Sequence, residues 1–245
     1  MGGVASAYPC LRSRGRGLHM KAGGVLDAKA KAIDIAICGA GGFAREVTWL
    51  LASLHESYNL IGYIQEEPNH GRLLHGIPVM SWDRFKDRYP HAATIVAVGE
   101  PTSREKAVRE CAGARFATLE HPSVERSSMN VRIGEGSIIC CGSILTVDID
   151  ISRHVHVNLH CTIGHDVRIG EFTTLAPGVH VSGNVHIGRS VYIGTGASII
   201  NGTEAHPLVI GHGAVIGAGA VVICNVEPGC LYAGVPAVLK KKYRA

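Results

Sequence analysis

Two short segments combine residue types that could carry out chemistry. The segment GAGGFA (39–44) lies between an aliphatic run and a helix-like stretch, and it fits the pattern G-x-G-x-x-A. A glycine turn at the start of a helix exposes backbone N–H groups that can bind phosphate. In the second segment His165 is followed directly by Asp166. An imidazole with an ordinary pKa of about 6.5 can accept a proton near neutral pH, and a neighbouring carboxylate raises its basicity.

The elements that must position these segments differ between the two halves of the chain. From residue 33 to about 121, strand-like and helix-like segments alternate. This pattern predicts a parallel sheet with helices on its faces. From Ile133 to Ile199 an aliphatic residue recurs at every sixth position, and after a five-residue shift the period resumes at Ile210.

A period of six is typical neither of an α-helix, which repeats about every 3.6 residues, nor of an ordinary strand, which repeats about every two. It indicates a triangular solenoid in which each hexad forms a short strand and a corner. The aliphatic side chain then points into the core, and three hexads, or 18 residues, complete one coil.

The charge and the cysteines exclude several classes of function. Residues 1–31 carry six basic residues and one acidic residue, so the net charge of +4 belongs to this tail and predicts no nucleic-acid partner. No apolar stretch approaches the roughly 18 residues of a membrane span, and the tail has no signal-peptide core, so we expect a cytoplasmic protein without a membrane partner. The eight cysteines form no C-x-x-C pair, and no metal site is predicted from them.

The chain resembles the hexapeptide-repeat sugar acyltransferases, and within them the bacterial nucleotide-sugar N-acetyltransferases and the sialic acid O-acetyltransferases. The resemblance covers about residues 33–240 and rests on GAGGFAREV (39–47), IGHDVRIGEF (163–172), PGVHVSGNVHIG (177–188) and AGVPA (233–237). It implies an α/β Rossmann-like N-terminal domain followed by an all-β left-handed parallel β-helix. The predicted divisions are a disordered basic tail or leader at 1–31, a Rossmann-like nucleotide-sugar-binding domain at 32–121 and a left-handed β-helix acetyltransferase domain at 122–240.

The resemblance also implies the site. His165 is the expected general base, with Asp166 as its acidic partner. The expected contacts to the nucleotide sugar are Gly41, Gly42, Phe43, Gln65, Glu66, Gly99 and Asn158. The expected contacts to coenzyme A are Thr174, Gly183, Thr195 and Ala218. Gly183 follows His165 by 18 residues, so it should stack one coil above it, and the resemblance implies that its backbone N–H lies near the thioester carbonyl.

Four positions depart from the family pattern. Relatives commonly carry histidine at position 43, a pair of aspartates at 65 and 66, and histidine or asparagine at 174, where this chain has Phe43, Gln65, Glu66 and Thr174. The solenoid also carries other histidines, which we expect to be outward-facing surface residues: His154, His156, His160, His180, His186 and His206.

The resemblance therefore predicts an acetyl-CoA-dependent transferase that acetylates the amino group of a nucleotide-linked amino sugar, by direct attack on the thioester and without a metal. Three flat faces favour packing about a three-fold axis, so we expect a homotrimer. The resemblance implies that the active sites lie between neighbouring subunits. The alternatives are O-acetylation of a sugar, a non-catalytic nucleotide-sugar-binding scaffold and a dinucleotide oxidoreductase. A β-helix carbonic anhydrase would pair His160 and His165 with a third histidine at position 124, which is Val124.

Overall fold

The structure is a computed structural model of the chain, described here for residues 32–66 and 72–243. The predicted basic tail at 1–31 lies outside the described residues. The described residues belong to one compact unit. None of the helices in the described part of the chain is long and apolar enough to cross a membrane.

The N-terminal part is a six-stranded sheet with helices between its strands. Its strand order is β3-β4-β2-β1-β5-β6, and all pairs are parallel except β3 with β4. The elements are β1 (Ile33–Cys38), α1 (Gly42–Ala52), β2 (Tyr58–Ile64), β3 (Leu73–Leu74), β4 (Ile77–Met80), α2 (Trp82–Arg88), β5 (Ala93–Val96), α3 (Pro101–Glu110) and β6 (Arg115–Phe116).

The C-terminal part is a run of two- to five-residue strands that form three sheets, here called the first, second and third faces. The first face has the order β25-β24-β22-β19-β16-β13-β10-β7, the second β23-β20-β17-β14-β11-β8 and the third β21-β18-β15-β12-β9. The strands are β7 (Leu119–Glu120), β8 (Glu125–Arg126), β9 (Val131–Ile133), β10 (Ile138–Ile139), β11 (Ile144–Leu145), β12 (Ile149–Ile151), β13 (His156–Val157), β14 (Thr162–Ile163), β15 (Arg168–Ile169), β16 (Thr174–Leu175), β17 (His180–Val181), β18 (Val185–Ile187), β19 (Tyr192–Ile193), β20 (Ser198–Ile199), β21 (Leu208–Ile210), β22 (Val215–Ile216), β23 (Val221–Val222), β24 (Cys230–Ala233) and β25 (Val238–Lys242).

The register of these strands gives the length of a coil. Thr162 pairs with His180, which is 18 residues later, and the aliphatic residues of successive coils form one buried cluster. After the interruption at 200–207 the offset becomes 23, as in the pair Tyr192 and Val215. The hexad repeat therefore forms the predicted triangular coil, and the fold class of an α/β part followed by a parallel β-helix is confirmed.

The α/β part packs on the first face of the coil. Ile35 and Ile37 of β1 and Val47 of α1 belong to the same buried cluster as Leu119 and Ile138 of the first face. Because β7 lies at 119–120 and already pairs with β10, the first coil begins before residue 121. The predicted division between the two domains at 121/122 stays a prediction.

Candidate active site

A cavity of about 830 Å³ opens at the carboxyl ends of the central strands of the α/β sheet. Open parallel sheets generally bind ligands at this edge. The cavity brings together all the residues of the α/β part that the sequence predicts to contact the nucleotide sugar: Gly41, Gly42, Phe43, Gln65, Glu66 and Gly99.

The glycine turn between β1 and α1 forms one wall of this cavity. Gly39 has φ +113°, and a Cβ at this position would lie 3.1 Å from the carbonyl oxygen of Ala97, so only glycine fits without strain. Helix α1 has no side-chain cap at Gly41 and no acidic residue in its first turn. Its first N–H groups are therefore available to an anionic ligand.

The candidate base lies on the coil, at the corner between the second and third faces, here called the second edge. His165 Nδ1 lies 2.8 Å from Asp166 Oδ2, and both side chains are about half exposed. When Nδ1–H donates to this carboxylate, the neutral imidazole presents a lone pair on Nε2. The pair can therefore accept a proton from a substrate.

Gly183 lies directly above His165 on the second edge. A Cβ at Gly183 would overlap with His165 Nε2, so the close approach of the ring requires glycine. The N–H of Gly183 donates no hydrogen bond within the described part of the chain, whereas its carbonyl accepts one from Gly202 N at 3.0 Å. A free N–H beside the base is placed to stabilise a developing oxyanion.

The interruption of the repeat at 200–207 occupies the same edge, one coil higher. Gly202 N donates to Gly183 O, and Leu208 N donates to Asn184 O, so the loop is bonded to the coil that carries Gly183. No role for this loop was predicted from the sequence. The signal that could have located it is the five-residue shift, because the 18-residue register places that shift above His165.

Three other predicted residues lie on the corner between the first and second faces, here called the first edge. Thr195 and Ala218 are exposed there in successive coils, in the register set by the pairing of β19 with β22. Asn158 lies lower on the same edge, and its Oδ1 accepts from Leu159 N at 3.1 Å.

His160 is also on this edge, so His160 and His165 lie at different corners of the coil. Among residues 32–66 and 72–243, no group of three His, Cys, Asp or Glu could hold a metal ion.

Thr174 lies on the first face, underneath the α/β part. Its side chain is buried; Oγ1 donates to Gly99 O at 2.8 Å and accepts from Arg104 Nη1 at 2.9 Å. The hydroxyl is thus engaged between the coil and the cavity wall, away from the open edge that holds Thr195 and Ala218. A contact of Thr174 with coenzyme A stays a prediction.

Arg104 connects the cavity to the coil, a role that its position in the sequence did not predict. Its guanidinium is completely buried and donates to Val98 O at 2.8 Å and Gly99 O at 3.2 Å. On the coil it donates to acceptors on the first face and the neighbouring corner: His154 O, His156 Nδ1, Phe172 O, Thr173 O and Thr174 Oγ1. Burial lowers the pKa of Arg104 to about 9, which leaves it charged at neutral pH.

The expectation that the unassigned histidines are surface residues is wrong for two of them. His154 and His156 are buried, because the α/β part covers this stretch of the first face. His156 contacts the ring of Phe43, with centroids 5.0 Å apart, and His154 stacks on Phe172 at 5.2 Å. Burial lowers the pKa of His154 to about 4 and that of His156 well below 6.5, so both rings are neutral at pH 7.

Comparisons with known proteins agree with this architecture. A family model described as the PglD N-terminal domain matches residues 34–111. GDP-perosamine N-acetyltransferase of Escherichia coli O157:H7 is 32% identical over 150 residues, which are 58% of this chain and 66% of that protein, just under two thirds of its length.

Two solved structures are similar over most of the chain. WeeI from Acinetobacter baumannii AYE is 35% identical, with a TM-score of 0.77, covering 85% of this chain and 100% of that one. The acetyltransferase domain of PglB from Neisseria gonorrhoeae FA1090, in complex with acetyl coenzyme A, is 29% identical, with a TM-score of 0.77, covering 86% and 100%.

Proposed function

The chain belongs to the sugar acetyltransferase family, and from this premise we propose that it transfers the acetyl group of acetyl-CoA to the amino group of a nucleotide-linked amino sugar. The names of the relatives support both substrates: the E. coli protein is a GDP-perosamine N-acetyltransferase, and the PglB domain is a complex with acetyl coenzyme A. The observation in this chain that carries the proposal is the His165–Asp166 pair beneath the free N–H of Gly183.

In the proposed reaction the neutral amine attacks the thioester carbonyl. The C–N bond forms while His165 Nε2 takes the proton of the amine, and Asp166 holds the imidazole through Nδ1. The Gly183 N–H stabilises the negative charge on the former carbonyl oxygen. The C–S bond then breaks, and the thiolate of coenzyme A receives the proton from Nε2.

The cavity is the proposed site of the nucleotide part of the acceptor. The diphosphate accepts hydrogen bonds from the backbone at Gly41 and Gly42, where α1 begins without a cap. The other proposed contacts to the nucleotide sugar are Phe43, Gln65, Glu66, Gly99 and Asn158.

Coenzyme A is proposed to lie along the coil. Thr195 and Ala218 are exposed one above the other on the first edge, which gives a long cofactor a continuous surface. Gly183 and Thr174 complete the proposed set of contacts. A cytoplasmic location, where acetyl-CoA would be available, is part of this proposal.

The arrangement within one chain supports a homotrimer. The cavity lies against the first face, since Phe43 contacts His156 and Gly99 contacts Thr174. His165 lies on the second edge, the corner opposite the first face. A base must contact the proton that it removes, so the cavity of one subunit and the base of a neighbouring subunit would form each site.

The direct test is thiol release from acetyl-CoA with a panel of amino-sugar nucleotides. His165→Ala should lower kcat about 10²–10⁴-fold, the usual contribution of a general base. His91→Ala, which removes an exposed histidine of the α/β part, should retain full activity. A loss of less than about tenfold for His165→Ala would exclude His165 as the base. An acetylated product that resists mild alkali would identify an amide rather than an ester.

A further inference from the structure

We propose that the nucleotide of the acceptor carries guanine, and that Glu66 and Trp82 recognise this base. The inference rests on the proposed function, because it names the base of the nucleotide sugar that would bind in the α/β cavity.

The charges around the cavity restrict where each part of the ligand can lie. Among the described residues, the lining includes four carboxylates and no lysine, arginine or histidine. Among the lining groups, the backbone N–H groups at the start of α1 are therefore the donors suited to a diphosphate. Arg45, which does not line the cavity, has Nη2 3.9 Å from the position of a Cβ on Gly42. The carboxylates suit a part of the ligand that donates hydrogen bonds. They belong to Glu66, Asp83, Glu100 and Glu110.

Three of these carboxylates already have partners. Glu100 accepts from the backbone N–H groups of Thr102 and Ser103 at the start of α3. Asp83 pairs with Lys86 at 3.3 Å, and Glu110 pairs with Lys106 at 3.6 Å. Glu100 is engaged through both oxygens, and Asp83 and Glu110 are each paired through one oxygen with a lysine of the same helix, which offsets their charge toward a ligand.

Glu66 differs because its partner is a backbone N–H rather than a lysine, so its carboxylate is oriented by the fold and has no ion-pair partner in the described part of the chain. Its Oε1 accepts from the backbone N–H of Trp82 at 3.0 Å. Its Oε2 accepts no hydrogen bond from the described part of the chain. The nearby Gln65 Oε1 is buried and likewise has no partner among the described residues. This wall of the cavity therefore favours a ligand edge rich in donors.

Guanine has the edge that matches a carboxylate. Its N1–H and its 2-amino group are adjacent and point the same way, so one carboxylate can accept from both. Uracil and thymine offer a single N–H between two carbonyl oxygens, which a carboxylate repels. Adenine and cytosine place their amino group beside a ring nitrogen that is itself an acceptor.

Trp82 supplies a flat surface beside this carboxylate. Trp82 lines the cavity and is partly exposed, and its ring stacks on the buried Phe85, with centroids 5.8 Å apart. A nucleobase can stack on an aromatic ring held in this way. The backbone N–H of Trp82 thus orients Glu66, and the indole ring of the same residue is proposed to stack on the base.

The test is calorimetric titration of the full chain with GDP, IDP, UDP, dTDP, CDP and ADP. GDP should bind at least about tenfold more tightly than UDP, dTDP, CDP and ADP, since hydrogen bonds to a charged partner are worth about one to two powers of ten. IDP lacks the 2-amino group and should be intermediate. Glu66→Gln should weaken GDP at least about tenfold and change UDP by less than about twofold.

Asp87→Asn is the matched control. Asp87 is exposed on α2, the helix that begins with Trp82, and does not line the cavity, so its removal tests long-range electrostatics alone. It should leave the ranking of the six nucleotides unchanged. A pyrimidine or adenine nucleotide that binds as tightly as GDP overturns the proposal, and so does an equal loss for all nucleotides in Glu66→Gln. If none of the six binds, the nucleotide-sugar function itself fails, whereas preferential binding of UDP refutes only the guanine assignment.

Discussion

His165 Nδ1 lies 2.8 Å from Oδ2 of Asp166, the next residue along the chain. Neighbouring side chains can meet in this way because Asp166 has φ +56°, within the tight turn of the second edge. The backbone of the corner therefore sets the orientation of the imidazole and directs Nε2 toward Gly183. One corner of the coil thus holds the proposed base, the carboxylate that orients its ring and the N–H beside it.

Asp166→Asn tests the orienting carboxylate. Asparagine tolerates the left-handed backbone of this position, so the turn should persist while the negative charge is lost. We expect kcat to fall about 10–100-fold because the imidazolium that forms during the reaction loses its counter-charge. Steady-state thiol release measures kcat, and thermal melting checks that the fold is retained. An unchanged kcat would show that His165 acts without Asp166.

Gly183→Ala tests the contact between the coils of the second edge. The added methyl group would occupy the space of His165 Nε2, so the ring must move away from the substrate. We expect kcat to fall at least about 100-fold, as is typical when a catalytic group is displaced by about 1 Å. Ser182→Ala, at the neighbouring position of the same corner, is the control and should keep its activity. Equal activities in the two variants would contradict the proposed role of this contact.

Much of the fold can be predicted from local sequence pattern. A strict period of six predicts a triangular coil of 18 residues. From the sequence alone, this register places Gly183 one coil above His165, as the structure shows. Likewise, alternating strands and helices bring Gly41, Glu66 and Gly99 to one edge of the sheet, because parallel strands end on the same side.

Contacts between the two parts of the chain could not be predicted in this way. The acceptors of Arg104 are spread from Val98 to Thr174, and no spacing in the sequence relates them. In the sequence Arg104 lies on a polar-faced helix and His156 on an outward-facing position of a solenoid strand, so both would be expected to face solvent. Docking of the α/β part on the first face buries them instead.

Arg104→Lys tests the connection between the cavity and the coil. Lysine keeps the positive charge but cannot reach the carbonyls of both parts with a single ammonium group. We expect the free energy of unfolding to fall by about 2–4 kcal/mol, because buried acceptors lose their donors. Chemical denaturation measures the change. Arg109→Lys, on the exposed side of the same helix, should change the stability by less than about 0.5 kcal/mol.

The buried His154 predicts acid sensitivity. Burial and the charges of Arg153 and Arg104 lower its pKa from 6.5 to about 4 in the folded chain. Between these two pH values the unfolded chain binds more protons than the folded chain, so the free energy of unfolding falls as the pH is lowered from 6.5 to about 4, by up to roughly 3 kcal/mol.

Denaturation measured at several pH values between 7 and 4 checks this effect. His154 has φ +55°, and asparagine is the other common residue that accepts this backbone, so His154→Asn is the suitable variant. Its stability should depend less steeply on pH than that of the parent chain, with the remaining slope arising in part from His156. Identical slopes would show that the protonation of His154 is not linked to unfolding.

Mixed oligomers test whether each site is shared between subunits. His165→Ala removes the base and leaves the cavity intact. Gly41→Asp places a carboxylate at the start of α1, where a Cβ meets no atom within 4 Å, so the fold should persist while the diphosphate is repelled. Each variant alone should be inactive.

Co-refolding the two variants in equal amounts should restore activity if the base and the cavity come from neighbouring subunits. In a ring of three, a site is intact when the subunit that gives the base carries Gly41→Asp and the subunit that gives the cavity carries His165→Ala. Random mixing produces this arrangement in about one quarter of the sites, so about 25% of the parent activity should return. If both groups of a site came from the same subunit, every site would contain one defect, and the mixture would stay as inactive as the separate variants.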